Sequence, residues 1–357
     1  MNIESFFSES ESPLIIAGPC SAESEDQMLQ TACMLTKYPQ IKYFRAGIWK
    51  PRSHPGQFEG AENMGLQWLQ KVKKTTRIKT CVEVANRSHV RQALDADVDL
   101  FWIGARTTVN PFLVEEIAQA MKGCNMPIMI KNPVNPDIDL WIGAIERFYK
   151  HGITKIAAIH RGFSSFHKTK YRNESFWEIV FELHRKIPNL PIITDPSHLT
   201  GNSKLVAELS QKALDLESDG LMIEVHPCPK EALSDKKQQI DFDEFDKLMK
   251  SLRFRKKSEN RDFISLSQLR TQIDEIDMEI VKLLSDRMKF VSDIGKIKRQ
   301  NELTILQKDR WKEVVESRLA FGEQEGLDKD FLLKILHYVH EESLRIQSDI
   351  FDRKNDE

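Results

Sequence analysis

The sequence predicts a (β/α)8 TIM barrel over residues 1–252, a charged linker over 253–263 and an all-α helical domain over 264–357. Three observations predict this. Short apolar runs, each followed by a polar turn and a helical pattern, recur between Leu14 and Val225. Beyond Ser265 the apolar residues fall instead at three- and four-residue steps. A chain of 357 residues is also long for one compact domain and comfortable for two.

The runs are Leu14–Ala17, Tyr43–Ala46, Thr80–Val84, Leu100–Ile103, Pro127–Ile130, Ile156–Ile159, Pro191–Thr194 and Leu221–Val225. Continuous rather than alternating hydrophobicity suits parallel strands buried on both faces. The stretches between them, such as Ala61–Lys74 and Pro111–Lys122, fit crossover helices. Such units repeated over about 250 residues have the length and rhythm of a closed barrel. The pattern fades after Phe245–Leu252, and the charge-dense stretch Arg253–Asp262 reads as a solvated linker. Leu269, Ile273, Ile276, Ile280, Leu283, Leu284, Val291, Ile294 and Ile297 then mark a long amphipathic helix. Two shorter helices follow, near Lys308–Gln324 and Asp328–Ile350, broken by Gly322 and Gly326.

Composition narrows the function. A formal net charge of -2 gives no electrostatic case for nucleic acid or an anionic membrane. No apolar run is long enough to span a bilayer, and Met1–Ser12 is acidic rather than a basic, apolar leader. Five scattered cysteines suit reduced thiols in a cytoplasmic protein. Cys33, Cys81, Cys124 and Cys228 read as buried small hydrophobes.

Nearly every run ends in a charged or metal-capable residue, and in a barrel those ends share one rim. Cys20, His198, Glu224 and Asp235 lie at or just after the ends of the first, seventh and eighth runs, and the first and eighth strands of a barrel are neighbours. A thiolate, an imidazole and two carboxylates suit one divalent first-row ion: Mn, Fe, Co or Zn. His226 rivals His198 on sequence grounds. Arg45, Lys50, Arg52, Arg106, Lys131 and Arg161 form a second set. A lone Arg is more often a surface ion pair, but cations gathered at one rim call for anions to neutralise them. A substrate with several phosphate or carboxylate groups is expected.

The segments Gly18-Pro19-Cys20-Ser21, Lys50-Pro51-Arg52-Ser53, Gly104-Ala105-Arg106, Asp195-Pro196-Ser197-His198, Glu224-Val225-His226-Pro227 and Ala232-Leu233-Ser234-Asp235 resemble the type I-beta 3-deoxy-D-arabino-heptulosonate 7-phosphate (DAHP) synthases, from about Pro13 to Leu252. The resemblance implies condensation of phosphoenolpyruvate with erythrose 4-phosphate. Arg106, Lys131 and Arg161 would then hold the phosphate of phosphoenolpyruvate, Arg45 and Lys50 its carboxylate, and Arg52 with Ser53 the aldose phosphate. Ser53 stands where Thr is usual, with the hydroxyl kept. The related eight-carbon synthase carries Ala-Asn-Arg in place of Lys50-Pro51-Arg52, which argues for the four-carbon aldose.

On the long helix, Arg287 and Lys298 are eleven residues apart and share a face. Arg270 lies about 25 Å from Arg287 along the axis, beyond the reach of one small ligand on one chain. Leu269-Arg270-Thr271-Gln272-Ile273-Asp274, Leu284-Ser285-Asp286-Arg287, Ile294-Gly295-Lys296-Ile297-Lys298, Arg310, Ser343 and Gln347 resemble the all-α chorismate mutases. The resemblance implies an intertwined three-helix homodimer with shared sites that converts chorismate to prephenate without a cofactor. Arg270 of the partner, Arg287, Arg310 and Ser343 would grip carboxylates, while Lys298 and Gln347 would donate to the ether oxygen. Trp311 and Gln307 replace acidic residues common in that family, so hydroxyl recognition should differ. The alternative is a tail that serves only regulation or dimerisation. Fusion of the two activities, with the chain starting almost at the first strand, suggests feedback on the barrel by prephenate or chorismate.

Overall fold

The computed structural model describes residues 1–7, 13–50, 56–165, 170–254 and 264–352, the side chains of 264–268 excepted. Pro51, Arg52 and Ser53, and most of the expected linker, lie outside the described residues. The chain divides into two compact units, Met1–Lys257 and Ser258–Glu357.

In the first unit, strands β1 (Leu14–Gly18), β2 (Ile41–Ala46), β3 (Lys79–Glu83), β4 (Leu100–Ile103), β5 (Ile128–Lys131), β6 (Ile156–His160), β7 (Ile192–Thr194) and β8 (Gly220–Glu224) close into a barrel in chain order. Every neighbouring pair is parallel, and β1 meets β8 in a register that sets Gly18 against Glu224. The surrounding helices are α1 (Glu25–Leu35), α2 (Glu62–Thr76), α3 (Arg87–Asp95), α4 (Ala105–Thr108), α5 (Pro111–Met121), α6 (Ile138–Lys150), α7 (Trp177–Lys186), α8 (Pro196–Thr200), α9 (Ser203–Asp215) and α10 (Phe242–Ser251). Their starts follow local chemistry. Asn110 accepts from the amides of Phe112 and Leu113 ahead of Pro111, and Asp241 with Glu244 forms a reciprocal capping box.

Strand residues alternate between two cores. Leu14, Ile16, Tyr43, Trp102, Met129 and Met222 are among those filling the barrel interior, whereas Ile15, Phe44, Phe101 and Ile223 pack against the helices. Phe6 and Phe7 pack onto the interior cluster, with Phe6 edge-on to Tyr43. The Glu4 amide donates to the Thr154 carbonyl at 3.0 Å, so this segment covers the end of the barrel where the strands begin.

The second unit holds α11 (Ile264–Gln300), α12 (Lys308–Gln324) and α13 (Lys329–Asp352). Gly326, at φ +79°, lies in the turn between α12 and α13 as expected, but Gly322 does not break the helix. It sits inside α12, where a Cβ would come 2.1 Å from Leu332 Cδ2, so its role is close helix packing. The cysteines also need a correction. All five thiols are free, but only Cys20 and Cys81 are buried; Cys33 is exposed, and Cys124 and Cys228 are half-buried.

Candidate active site

The inward parity of the strands builds a polar layer above the apolar one. Tyr43, Cys81, Met129, Ile193 and Met222 point into the barrel. Two residues further on, at one end of the barrel, stand Arg45, Glu83, Lys131, Asp195 and Glu224. Above them is a cavity of about 590 Å³ whose walls include Lys50, Arg106, Lys131, Arg161, His198 and Asp235. Gly18 permits the close approach of β1 and β2. At φ +149°, any Cβ there would lie 2.1 Å from the Arg45 carbonyl.

Cys20 follows β1 and is fully buried. Its Sγ is 3.4 Å from Asp235 Oδ2 and 3.1 Å from Lys50 Nζ. Burial, and then the Glu224 charge, push the thiol up to about 12. A thiol kept protonated by burial becomes a ligand when a cation displaces its proton. Glu224, fully buried at the end of β8, has Oε1 3.2 Å from Arg45 Nη2 and 3.6 Å from His198 Nδ1. Gln238 Nε2 donates to its other oxygen at 2.7 Å. Glu224 Oε1 itself takes no well-aligned hydrogen bond. Burial would raise this carboxyl, but His198, Arg45 and Lys50 outweigh it and keep it ionised.

His198 lies in α8, positioned by Asp195, whose Oδ1 accepts the His198 amide at 3.0 Å. Asp195 Oδ2 stands 2.8 Å from His198 Nδ1 without the angle of a hydrogen bond. Burial lowers the imidazole, while the Asp195 and Glu224 carboxylates pull the other way. Asp235, in the loop after β8, is held at φ +44°, and Arg172 Nη1 pairs with its Oδ1 at 3.2 Å. His198, Lys50 and Arg172 lower its carboxyl against the effect of burial. Among the described residues no group of three or more such side chains stands in finished metal-ligand geometry. The donor chemistry nonetheless fits a borderline divalent ion, and buried Glu224 Oε1, which faces Arg45 without an aligned hydrogen bond, has a lone pair left for one. His226, the rival ligand, turns instead to Glu23, with Nε2 3.5 Å from its Oε2.

The cations are arranged around these donors. Lys50 Nζ donates to the Cys20 carbonyl at 3.1 Å. Arg45 lies under the site, its Cζ 5.0 Å from the centre of the Trp102 ring, with Nε and Nη1 buried and unpartnered. Lys131 donates to Asp195 Oδ2 at 3.1 Å. Arg161 donates to Asn173 Oδ1 at 3.0 Å, and burial brings its guanidinium down to about 10. Arg106 is exposed at the cavity wall. Asp195, Asn173, Arg172 and Gln238 were not singled out from sequence. Asp195 continues the inward parity of Ile193, a signal that was there to be used. Asn173 lies in the irregular segment before α7 and carries none. Its amide donates to the His198 carbonyl at 2.8 Å, tying the Arg161 side of the site to the His198 side.

In the helical unit, Arg287 Nη1 donates to Ser343 Oγ at 2.6 Å, joining α11 to α13. Lys298, Ser343 and Gln347 are buried, and Gln347 Oε1 has no partner. Gly295 allows this packing, since a Cβ there would come 3.2 Å from Gln347 Cγ. Arg310 is exposed and pairs along its own helix with Glu313 at 2.9 Å. Arg270 is exposed near the start of α11.

A cavity lined by Lys and Arg at the strand-end rim of a β/α barrel, with a separate helical unit built around buried Lys, Ser and Gln, points to a class: a two-domain enzyme of small anionic substrates. The chain belongs to the DAHP synthetase I family, whose model matches residues 6–258, and residues 269–348 match chorismate mutase type II. It therefore joins a DAHP synthase domain to a chorismate mutase domain. A Thermotoga maritima phospho-2-dehydro-3-deoxyheptonate aldolase is 33% identical over 239 residues, spanning 67% of this chain and 68% of that protein. A 2-dehydro-3-deoxyphosphooctonate aldolase from Desulfotalea psychrophila is 26% identical, over 67% of this chain and 88% of its own. The crystal structure of a Thermotoga maritima DAHP synthase superposes with a TM-score of 0.61 at 33% identity, over 66% of this chain and 67% of that one. No helix among the described residues is long and apolar enough to cross a membrane.

Proposed function

We propose that the barrel condenses phosphoenolpyruvate with erythrose 4-phosphate to DAHP and inorganic phosphate, with a divalent metal, while the helical domain rearranges chorismate to prephenate. The observation that carries the first half is a single cavity lined by Lys50, Arg106, Lys131, Arg161, His198 and Asp235, with buried Cys20 against Lys50 and Asp235 and buried Glu224 against His198. Arg106, Lys131 and Arg161 take the phosphate of phosphoenolpyruvate. Arg45 and Lys50 take its carboxylate, for which the unpartnered Arg45 nitrogens are suited. Arg52 and Ser53 receive the aldose phosphate. Cys20, His198, Glu224 and Asp235 hold the ion, which when bound supplies Lewis-acid polarisation of the aldehyde. The protein's part is to fix both substrates for attack of the enol carbon on that aldehyde, with the developing charge facing fixed cations.

The mutase half needs no acid, base or nucleophile. Arg287, Arg310, Ser343 and Arg270 of a second copy hold the two carboxylates in a compact conformer. Lys298 and Gln347 donate to the ether oxygen as charge gathers on it.

The test is phosphate release from phosphoenolpyruvate with erythrose 4-phosphate, before and after chelation. Chelation should abolish it, and Cys20→Ser should do the same while chorismate turnover survives in both cases. Undiminished phosphate release in the metal-free protein rules out the metal reading. We also propose feedback: prephenate or chorismate bound at the helical domain restrains the barrel. A synthase rate unchanged at saturating prephenate and at saturating chorismate disproves it.

A further inference from the structure

We propose that His340 reads the ring hydroxyl of the substrate in the helical site. This rests on the assignment of Arg287, Lys298, Ser343 and Gln347 to that site. His340 lies on α13 one turn before Ser343, so the two side chains share a face. Its imidazole is stacked on Trp311 of α12, centroids 3.8 Å apart and planes 10° from parallel. His337 meets Trp311 edge-on, with ring centroids 5.7 Å apart. The imidazole plane is thereby fixed where α12 meets α13, beside the point at which Arg287 reaches Ser343. Among the described residues neither ring nitrogen takes a hydrogen bond, and the side chain is only partly buried.

Chorismate offers four polar features: two carboxylates, an ether oxygen and a ring hydroxyl. Arginine and lysine side chains answer the first three, because each of those accepts hydrogen bonds. The hydroxyl both donates and accepts, and a cation satisfies only half of it. A neutral imidazole has one nitrogen of each kind, whereas Trp311 can only donate. Burial and then the charges of Arg287, His337 and Lys298 keep His340 neutral.

The experiment measures kcat/KM of the full chain with chorismate and with its ring-deoxy analogue. The parent should favour chorismate about tenfold, the worth of one neutral hydrogen bond. His340→Leu should lose that preference by slowing chorismate alone, and His340→Gln, whose amide also donates and accepts, should keep it. An equal effect of His340→Leu on both substrates would mark a packing residue and overturn the proposal, as would no effect on either. Arg287→Ala is run alongside. If it leaves chorismate turnover intact, the site lies elsewhere and the underlying assignment falls together with the proposal.

Discussion

His160 shows how one buried side chain writes a pH dependence into the barrel. It ends β6 with outward parity and is wholly buried, edge-on to Trp177 at 4.6 Å. Nε2 donates to the Ser175 carbonyl at 2.6 Å, and Nδ1 is buried without a partner. Burial brings the imidazole down from 6.5 to about 4. The unfolded chain therefore takes up this proton between those values while the folded chain does not. The stabilisation is whole above pH 6.5 and is lost as the pH falls towards 4. At pH 5 the loss amounts to about 2 kcal/mol. His160→Gln, which can still donate to Ser175, should lack this component. Urea unfolding at pH 7.5 and pH 5 should show the parent losing about 2 kcal/mol more than the variant. Identical losses in both proteins would mean that the ring titrates normally in the fold.

Among the elements, the strands were legible because burial on both faces makes a parallel strand a continuous apolar run. Their ends shifted by a residue where the runs opened on Pro127 and Pro191, which have no amide to donate to a ladder. The rim residues were legible for the same reason: a charged side chain directly after such a run has the strand-end face as its place. Lys131 entered the site in this way, and Glu224 did so as the single charge at the end of its own run. What could not be read was the segment between β6 and α7, which has no period to betray its contacts. Asn173 and Arg172 both come from it. The long helix α11 is a third case. Its three- and four-residue pattern correctly announced a helix with one apolar face, yet Leu269, Ile273, Ile276, Ile280 and Leu283 are exposed. Periodicity reports that a face seeks burial, without naming what buries it.

At the scale of the whole molecule that exposed face bears on catalysis. Five large aliphatic side chains along one helix exceed what a lone surface normally shows, and a second copy of the helix would cover them. On the proposed shared site, the same pairing brings the partner's Arg270 to Arg287, which α11 alone separates by 17 residues, about 25 Å. Each site then needs Arg270 from one protomer and Arg287 from the other. Chains carrying Arg270→Ala and chains carrying Arg287→Ala should each lose chorismate turnover on their own. Mixed in equal amounts, unfolded together and refolded, they should pair at random into dimers of which half are mixed. In a mixed dimer one site has lost both arginines and the other has kept both. About a quarter of parental turnover should therefore return, since two-fold pairing leaves one intact site in every mixed dimer. If each site drew both arginines from one chain, no mixture of the two variants would recover activity, because every chain would still lack one of the pair.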